Sequence, residues 1–124
     1  MRFSIDTSNG VPIYEQIVRQ VTFAVAEGVL VSGQMVPSVR QLSTTLAINP
    51  NTIARAYQQL QSDQVLESLR GRGLVVRADA APRCDAARQA ILADRLRSVL
   101  SEALHAGLST EQLREMFEQQ IQNL

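Results

Sequence analysis

The 124-residue sequence predicts a mainly α-helical fold with one small β-hairpin, followed by a C-terminal α-helical hairpin. Three observations predict this class. Apolar residues recur at helical spacing in five separate segments. The second and third of these segments are separated by only about three residues, as in a helix-turn-helix. Two strand-like runs then flank an Arg-Gly-Arg-Gly sequence, which is typical of a hairpin tip.

The N-terminal part is predicted to hold a short strand, one helix and a loop. Residues 2–6 alternate polar and apolar side chains, as a strand does. Pro12 suits the first turn of a helix, and apolar side chains continue at helical spacing as far as Val25. Gly28 marks the predicted end of this helix, so residues 29–37 are predicted to form a loop.

Two capped helices are predicted next. Ser38 and Gln41 form a capping-box pattern for a short helix that ends near Ala47. Asn49 and Pro50 are typical of a new helix start, because Asn caps helices and Pro loses no hydrogen bond at the first helical position. This third helix is predicted to end near residue 63.

A hairpin follows the third helix. Strand-like runs at 65–69 and 74–76 enclose Arg70, Gly71, Arg72 and Gly73. Glycines on both sides of an arginine favour a tip whose backbone needs positive φ. A helix-turn-helix followed by such a hairpin is the order of a winged helix-turn-helix, in which the hairpin is the wing.

A linker and a helical tail are predicted after the wing. Residues 78–84 are predicted to be the linker, and a fourth helix is expected from Asp85 to Ala106. Ser109 and Gln112 form a second capping box that begins a fifth helix. The predicted domains are therefore a winged helix-turn-helix at 1–77 and a short helical region at 85–124.

The composition excludes several kinds of site. The chain has no lysine, one histidine (His105) and one cysteine (Cys84). It therefore lacks a lysine for a Schiff base or a P-loop, and it lacks the four Cys and His ligands of a structural zinc site. No catalytic residue, metal or other cofactor is predicted, and the protein is not expected to be an enzyme. Cys84 is expected to be an inert thiol, a redox sensor being the alternative.

The protein is expected to be cytoplasmic and to have no membrane partner. No apolar run approaches the roughly 18 residues that a membrane-spanning helix needs. The N-terminus turns polar after five residues, unlike a secretory signal. A single cysteine forms no intrachain disulfide, which is typical of a reducing compartment.

Charge is unevenly distributed along the chain. The formal net charge is zero. Residues 38–77 contain five arginines against two acids, or +3, whereas residues 78–124 contain five arginines against seven acids, or −2. Because salt screens charges beyond about 8 Å, this local excess rather than the total decides attraction to phosphates.

The third helix has a polar face without acids. Helical spacing places Asn51, Thr52, Arg55 and Gln59 on one side, whereas Ile53 lies on the opposite, apolar side. Arg, Asn and Gln are the side chains that form paired hydrogen bonds with base edges in the major groove of DNA. An ordinary amphipathic surface helix is the alternative, and the neighbouring wing favours DNA binding.

Four segments resemble the GntR family of bacterial transcription regulators, in particular its YtrA subfamily. The segments are Gly10–Ile17, Pro37–Leu42, Asn49–Tyr57 and Gly71–Gly73, in that order. The resemblance covers residues 10–77 closely, while the tail matches the subfamily only in length and helical character. Two positions depart from the family pattern: Met35-Val36, where a leucine commonly precedes the proline, and Ser43, where alanine is usual and the change is expected to matter only for packing.

The resemblance implies double-stranded operator DNA as the partner and assigns contacts at matched positions. It places Ser38 and Arg40 at the start of the second helix, and it implies that Ser38 offers its hydroxyl or backbone N–H to phosphate. The implied DNA-binding residues are Ser38, Arg40, Asn49, Asn51, Thr52, Arg55, Arg70, Gly71 and Arg72.

The tail is predicted to form a homodimer. Two apolar stripes recur at helical spacing, and a lone hairpin of about 40 residues is too small to cover both. The predicted dimerisation residues are Leu92, Leu96, Val99, Ala103, Leu113, Met116, Phe117 and Ile121.

The sequence therefore predicts a homodimeric DNA-binding transcription regulator, expected to be a repressor on an inverted-repeat operator. The alternative is a winged-helix adaptor that binds proteins and not DNA, which would favour an exposed apolar groove at the third helix. No residue pattern identifies a small-molecule effector.

Overall fold

The computed structural model describes residues 1–124, and its elements confirm the predicted fold class. Their order is α1 (Ile13–Ala26), α2 (Val39–Leu46), α3 (Pro50–Ser62), β1 (Leu66–Leu69), β2 (Gly73–Val76), α4 (Ala80–His105) and α5 (Thr110–Gln122). The chain divides into two compact units, Met1–Arg88 and Gln89–Leu124, and this division falls within α4. None of the helices has the length and apolar character needed to cross a membrane.

Residues 2–6 do not form the predicted strand. Two glutamines of α1 bind their backbone groups instead. Gln20 accepts a hydrogen bond from the Ser4 N–H at 3.0 Å and donates one to the Ser4 carbonyl. Gln16 binds Asp6 in the same way, at 2.9 and 2.6 Å. The apolar side chains of the segment pack against the core while these amides take the place of a neighbouring strand, which accounts for the alternation in the sequence.

Both helices of the helix-turn-helix are capped as predicted. The Ser38 hydroxyl accepts from the Gln41 N–H at 3.1 Å, and the Gln41 side chain accepts from the Ser38 N–H at 2.9 Å. The Asn49 side chain accepts from the Asn51 N–H at 2.9 Å. These caps confirm the predicted starts of α2 and α3.

The turn between α2 and α3 depends on Ser43. Its hydroxyl donates to the Ile48 carbonyl at 2.6 Å, and the Ile48 N–H donates to the Ser43 carbonyl at 3.2 Å. Ala47 between them adopts the left-handed conformation, with φ 54° and ψ 44°. Ser43 therefore stabilises the turn by hydrogen bonding, so the expectation that this position matters only for packing is wrong.

The wing is a two-stranded antiparallel hairpin. Leu66 lies opposite Val76, and Leu69 lies opposite Gly73. Its tip closes where the Arg72 N–H donates to the Leu69 carbonyl at 3.0 Å. Gly71 (φ 81°) and Gly73 (φ 100°) carry positive φ, as the sequence predicted.

A short segment within residues 29–37, which the sequence predicted to be a loop, pairs with β2. The Gly33 N–H donates to the Val76 carbonyl at 2.8 Å, and the Val36 N–H donates to the Leu74 carbonyl at 3.0 Å. Met35 forms a β-bridge with Val75. The paired stretch is too short, and lies too close to Pro37, to produce a strand-like pattern.

The core of the first unit forms between α1, α3 and the wing. Tyr57, on the apolar side of α3, is 2% exposed. The largest fully buried side chains of this core are Tyr57, Ile17, Ile53, Leu60, Leu66, Val21, Val75, Val76 and Cys84.

Residues 78–84 are not a linker, because α4 begins at Ala80 rather than at Asp85. Ala80 and Cys84 lie one helical turn apart and are both fully buried in the core. Burial raises the pKa of the Cys84 thiol. Pro82 misled the prediction: it occupies the first turn of α4, where a missing N–H costs no hydrogen bond.

Asp79 joins the start of α4 to the end of the wing. Its carboxylate lies 2.7 Å from the Arg83 guanidinium and 3.1 Å from that of Arg77. Hydrogen bonds from Arg83 and Arg77 hold the pKa of Asp79 well below its usual range. Arg83 also donates to the Gln64 carbonyl, just after α3, so hydrogen bonds as well as burial hold the start of α4 in the first unit.

The second unit, Gln89–Leu124, contains no buried residue. Gly107 follows the end of α4 with a φ of 96°, and the Ser109–Gln112 capping box begins α5 as predicted. Six of the eight predicted dimerisation residues are large apolar side chains that are 44–61% exposed: Leu92, Leu96, Val99, Met116, Phe117 and Ile121. The other two, Ala103 and Leu113, are partly buried.

Candidate nucleic-acid interface

The start of α2 presents Ser38 and Arg40. Both residues are exposed, and Arg40 forms no ion pair. The Ser38 backbone N–H donates to the Gln41 side chain, so of the two groups that the resemblance implied for a phosphate contact only the hydroxyl is free. The Ser38 hydroxyl accepts from the Gln41 N–H and keeps its own proton available for donation.

The first turn of α3 presents amide and hydroxyl groups. Asn51 is exposed and Thr52 is partly buried, on the side of α3 away from its buried residues. Asn49 uses its side-chain oxygen as the helix cap, which leaves its NH₂ group as the free donor. No acidic side chain lies in this turn.

Arg55 lies on the same side of α3, one turn further along. Its guanidinium carbon is 3.7 Å from the centroid of the Tyr14 ring on α1. A cation over an aromatic face at this distance is attracted by the ring electrons. No carboxylate pairs with Arg55, so its N–H donors remain available.

The wing tip presents Arg70, Gly71 and Arg72, all exposed. Arg72 donates to the Gly33 carbonyl at 3.2 Å, so its side chain turns back toward the segment that pairs with β2. Arg70 has no partner of this kind and is the freer of the two cations. Gly71, with positive φ, gives the tip its tight shape.

The arginines of the predicted interface form no ion pair, and neither does Arg2, whereas the other arginines of the first unit do. The ion pairs of the chain join Arg19 to Glu15, Arg77 to Glu67 and Asp79, Arg83 to Asp79, and Arg88 to Asp85. The four arginines of the predicted interface, Arg40, Arg55, Arg70 and Arg72, have no acidic partner. We call α2, α3 and the wing tip, with these four arginines, the arginine face.

Sequence reasoning missed two residues that shape the arginine face. Tyr14 lies in the predicted first helix and Gly33 in the predicted loop, and neither position indicates a role in DNA binding. An aromatic residue among aliphatic ones at the first turn of α1 was a signal for Tyr14, but nothing local indicated its distance from Arg55. The contact between Arg72 and Gly33 spans 39 residues and leaves no local pattern.

No cofactor or metal site is apparent near the arginine face. A cavity of about 280 Å³ lies between the wing and the start of α2. Its polar side chains, Ser38, Gln41, Tyr57 and Arg72, already bond within the protein. No group of three or more His, Cys, Asp or Glu side chains is arranged to hold a metal ion.

Comparison with known proteins agrees with this geometry. Residues 13–76 match the family model of bacterial regulatory proteins, gntR family. The chain is 34% identical over 111 residues to the HTH-type transcriptional repressor YtrA of Bacillus subtilis (strain 168), covering 90% of this chain and 85% of that protein.

Two solved structures share the fold. A GntR family transcriptional regulator from Listeria monocytogenes has a TM-score of 0.72 and 30% identity, over 93% of this chain and 98% of that one. The AraR DNA-binding domain, solved in complex with operator ORE1, has a TM-score of 0.50 and 22% identity, over 61% of this chain and 92% of that one. The chain therefore belongs to the GntR family of bacterial transcription regulators, and it carries that family's winged helix-turn-helix DNA-binding domain.

Proposed function

We propose that this protein represses transcription as a homodimer that binds an inverted-repeat operator. The observation that carries the proposal is the arginine face: α2, α3 and the wing tip carry four exposed arginines without acidic partners, and the first turn of α3 adds amide groups. The similarity to a protein named as a repressor supports the direction of regulation.

In this proposal α3 enters the major groove and the other elements bind the backbone. Asn51, Thr52 and Arg55 face base edges, since Arg and Asn form paired hydrogen bonds with guanine and adenine. Arg40 and the Ser38 hydroxyl contact phosphates beside the groove. Arg70 and Arg72 on the wing contact phosphates or enter the adjacent minor groove.

The second unit supplies the dimer interface. Its helices leave seven large apolar side chains about half exposed, namely Leu104 and six of the predicted dimerisation residues, and no residue of α5 is buried. Contiguous exposed apolar side chains are typical of protein–protein contact surfaces. Pairing two copies through Leu92, Leu96, Val99 and Ala103 on α4, and through the stripe of α5, removes these surfaces from water.

Dimer symmetry sets the form of the operator. A single DNA-binding module buries about 600–1,000 Å² on DNA and recognises a half-site. Two-fold pairing of the tails presents two copies of α3 to two half-sites of opposite orientation. Occupancy of such a site near a promoter excludes other proteins from the same DNA, which accounts for repression.

A binding assay with the intact protein tests the proposal. The probe is a labelled duplex from the DNA just upstream of the protein's own gene, and the comparison is a scrambled duplex of equal length and composition. We expect a preference of at least about 1,000-fold for the upstream duplex. Arg40→Ala is expected to weaken binding, whereas the control Arg97→Ala on α4 is expected to have no effect. Equal affinity for both duplexes would contradict the proposal.

The alternative of a protein-binding adaptor finds less support. In the first unit the exposed large apolar side chains, apart from the N-terminal methionine, are Val29, Val31 and Met35. All three lie in the segment between α1 and α2, and none lies on the exposed side of α3. The surface of α3 is therefore suited to hydrogen bonding rather than to an apolar partner.

A further inference from the structure

Arg55 and Tyr14 come from different helices and meet at the arginine face. The guanidinium carbon of Arg55 lies 3.7 Å from the centroid of the Tyr14 ring. Tyr14 is partly buried on α1, whereas Arg55 is exposed on α3. The ring therefore supports one side of the guanidinium and leaves the N–H groups at its edge accessible.

The surroundings of the pair offer Arg55 no competing acidic partner. Glu15 is the acid next to Tyr14, but it accepts from the Tyr14 hydroxyl at 3.3 Å and pairs with Arg19 at 3.7 Å. Glu15 therefore neutralises a different arginine. Arg55 keeps its charge and its hydrogen-bonding capacity, and its one specific contact is the aromatic face.

We propose that Tyr14 is a positioning residue for base recognition, because it holds Arg55 in place before DNA binds. The inference rests on the proposed role of Arg55 in the major groove. A free arginine side chain samples many rotamers, and ordering it on binding weakens each contact that it makes. Paired hydrogen bonds to guanine need the guanidinium in one orientation, so a supporting ring increases discrimination at that base pair.

The proposal separates the ring of Tyr14 from its hydroxyl. The attraction to Arg55 needs an aromatic face, which phenylalanine also provides. The hydroxyl binds only Glu15. Tyr14→Phe should therefore keep the positioning effect, whereas Tyr14→Leu keeps an apolar side chain of similar bulk and loses the effect.

The test uses the full-length protein and duplexes that differ at single base pairs of the upstream site. Arg55→Ala first identifies the base pair at which discrimination is lost. Tyr14→Leu is then expected to reduce discrimination at that same base pair by about 3- to 30-fold, the range expected for a cation–π contact. Tyr14→Phe is expected to stay within about 2-fold of wild type. Combining Tyr14→Leu with Arg55→Ala should cause no further loss at that base pair.

A second measurement reports the contact itself, without DNA. In NMR spectra of the free protein, the Arg55 side-chain protons should show ring-current shifts in wild type and in Tyr14→Phe. These shifts should vanish in Tyr14→Leu. Thermal unfolding of each variant checks that the fold is intact. If Tyr14→Leu does not fold, the ring-current shifts in wild type and in Tyr14→Phe test whether the ring contacts Arg55.

Several outcomes would overturn the inference. Unchanged discrimination in a folded Tyr14→Leu variant would show that Arg55 needs no support. Tighter binding by this variant would show that the ring competes with DNA for Arg55. Absence of ring-current shifts in wild type would show that the contact does not persist in solution. If Arg55→Ala itself leaves base recognition unchanged, the proposed role of Arg55 is wrong and the inference falls with it. If Arg55→Ala loses discrimination and a folded Tyr14→Leu does not, the role of Arg55 stands and only the role of Tyr14 is refuted.

Discussion

The Tyr57 hydroxyl donates a 2.7 Å hydrogen bond to the carbonyl of Pro37. Tyr57 lies on the buried side of α3, and Pro37 directly precedes the cap of α2. The bond therefore joins the helix proposed to enter the major groove to the segment that places Ser38 and Arg40. This contact therefore links two of the elements that carry the arginine face.

Tyr57 should make stability fall at high pH. Burial raises the pKa of Tyr57 from 10.0 to about 12. The unfolded chain therefore ionises first, so the contribution of Tyr57 is constant below pH 10 and is lost as the pH rises toward 12. We expect the free energy of unfolding to fall by about 1.4 kcal/mol per pH unit in this range.

Urea unfolding between pH 8 and pH 11.5 measures this effect. Tyr57→Phe should be about 1 kcal/mol less stable than wild type near neutral pH, because it loses the hydrogen bond to Pro37. It should also show a shallower alkaline fall than wild type, the remaining fall coming from the buried Cys84 thiol, whose pKa is also raised. Tyr14→Phe, at the more exposed tyrosine, is the control and should retain the dependence. Parallel curves for Tyr57→Phe and wild type would contradict the assignment.

Salt should weaken DNA binding steeply, although the net charge of the chain is zero. The arginine face releases counterions from phosphates, and a dimer that contacts about 6–8 phosphates gives a slope of log K against log salt of roughly −5 to −7. Anisotropy titrations at several salt concentrations measure the slope. Arg40→Ala should make it shallower by about one per subunit. A slope near zero in wild type would exclude the electrostatic contribution.

The arginines of α3 and of the wing should differ in what their loss changes. Arg55→Ala should cost about 1–3 kcal/mol and relax preference at one base pair. Arg70→Ala should weaken operator and scrambled DNA alike, because phosphate contacts carry no sequence information.

Arg72→Ala should behave like Arg70→Ala in DNA binding but differ in stability. Its bond to Gly33 is exposed, so the variant should lose no more than about 1 kcal/mol of unfolding free energy, while Arg70→Ala loses none. Competition titrations with operator and scrambled DNA distinguish Arg55→Ala from the two wing variants, and thermal unfolding distinguishes Arg72→Ala from Arg70→Ala. Base-specific loss in Arg70→Ala would show that the wing enters the minor groove.

Local sequence signals predicted most of the fold. Ser38 with Gln41, and Asn49 with Pro50, indicated the starts of α2 and α3, because caps depend on residues only two or three positions apart. The glycines of the wing tip indicated its positive φ for the same reason. Features that depend on distant partners were missed or misassigned: the docking of residues 2–6 on Gln16 and Gln20, and the pairing of residues 33–36 with β2.

The candidate site shows the same division. The polar side of α3 follows from helical spacing alone, so its members could be named from the sequence. The contacts of Arg55 with Tyr14 and of Arg72 with Gly33 join separate elements, and no spacing rule relates them. The composition of Ala80–Cys84 led to a wrong prediction. Alanine and proline favour a linker, but the small side chains of Ala80 and Cys84 let the start of α4 pack into the core.

The association state of a tail variant tests the central claim, that two copies joined through residues 89–124 bind one operator. The variant is Leu96→Glu with Phe117→Glu, which places two charges in the exposed apolar stripes of the second unit. The control, Ser98→Glu with Gln122→Glu, adds the same charge at exposed polar positions. Sedimentation equilibrium gives the association state, and anisotropy gives affinity for the full operator and for a single half-site.

We expect wild type and the control to be dimers that bind the full operator far more tightly than the half-site. The Leu96→Glu, Phe117→Glu variant is expected to be a folded monomer that binds both duplexes with similar, weak affinity. A variant that stays dimeric and binds the full operator as tightly as wild type would contradict the account, because the tail would then not be the element that joins the two DNA-binding domains.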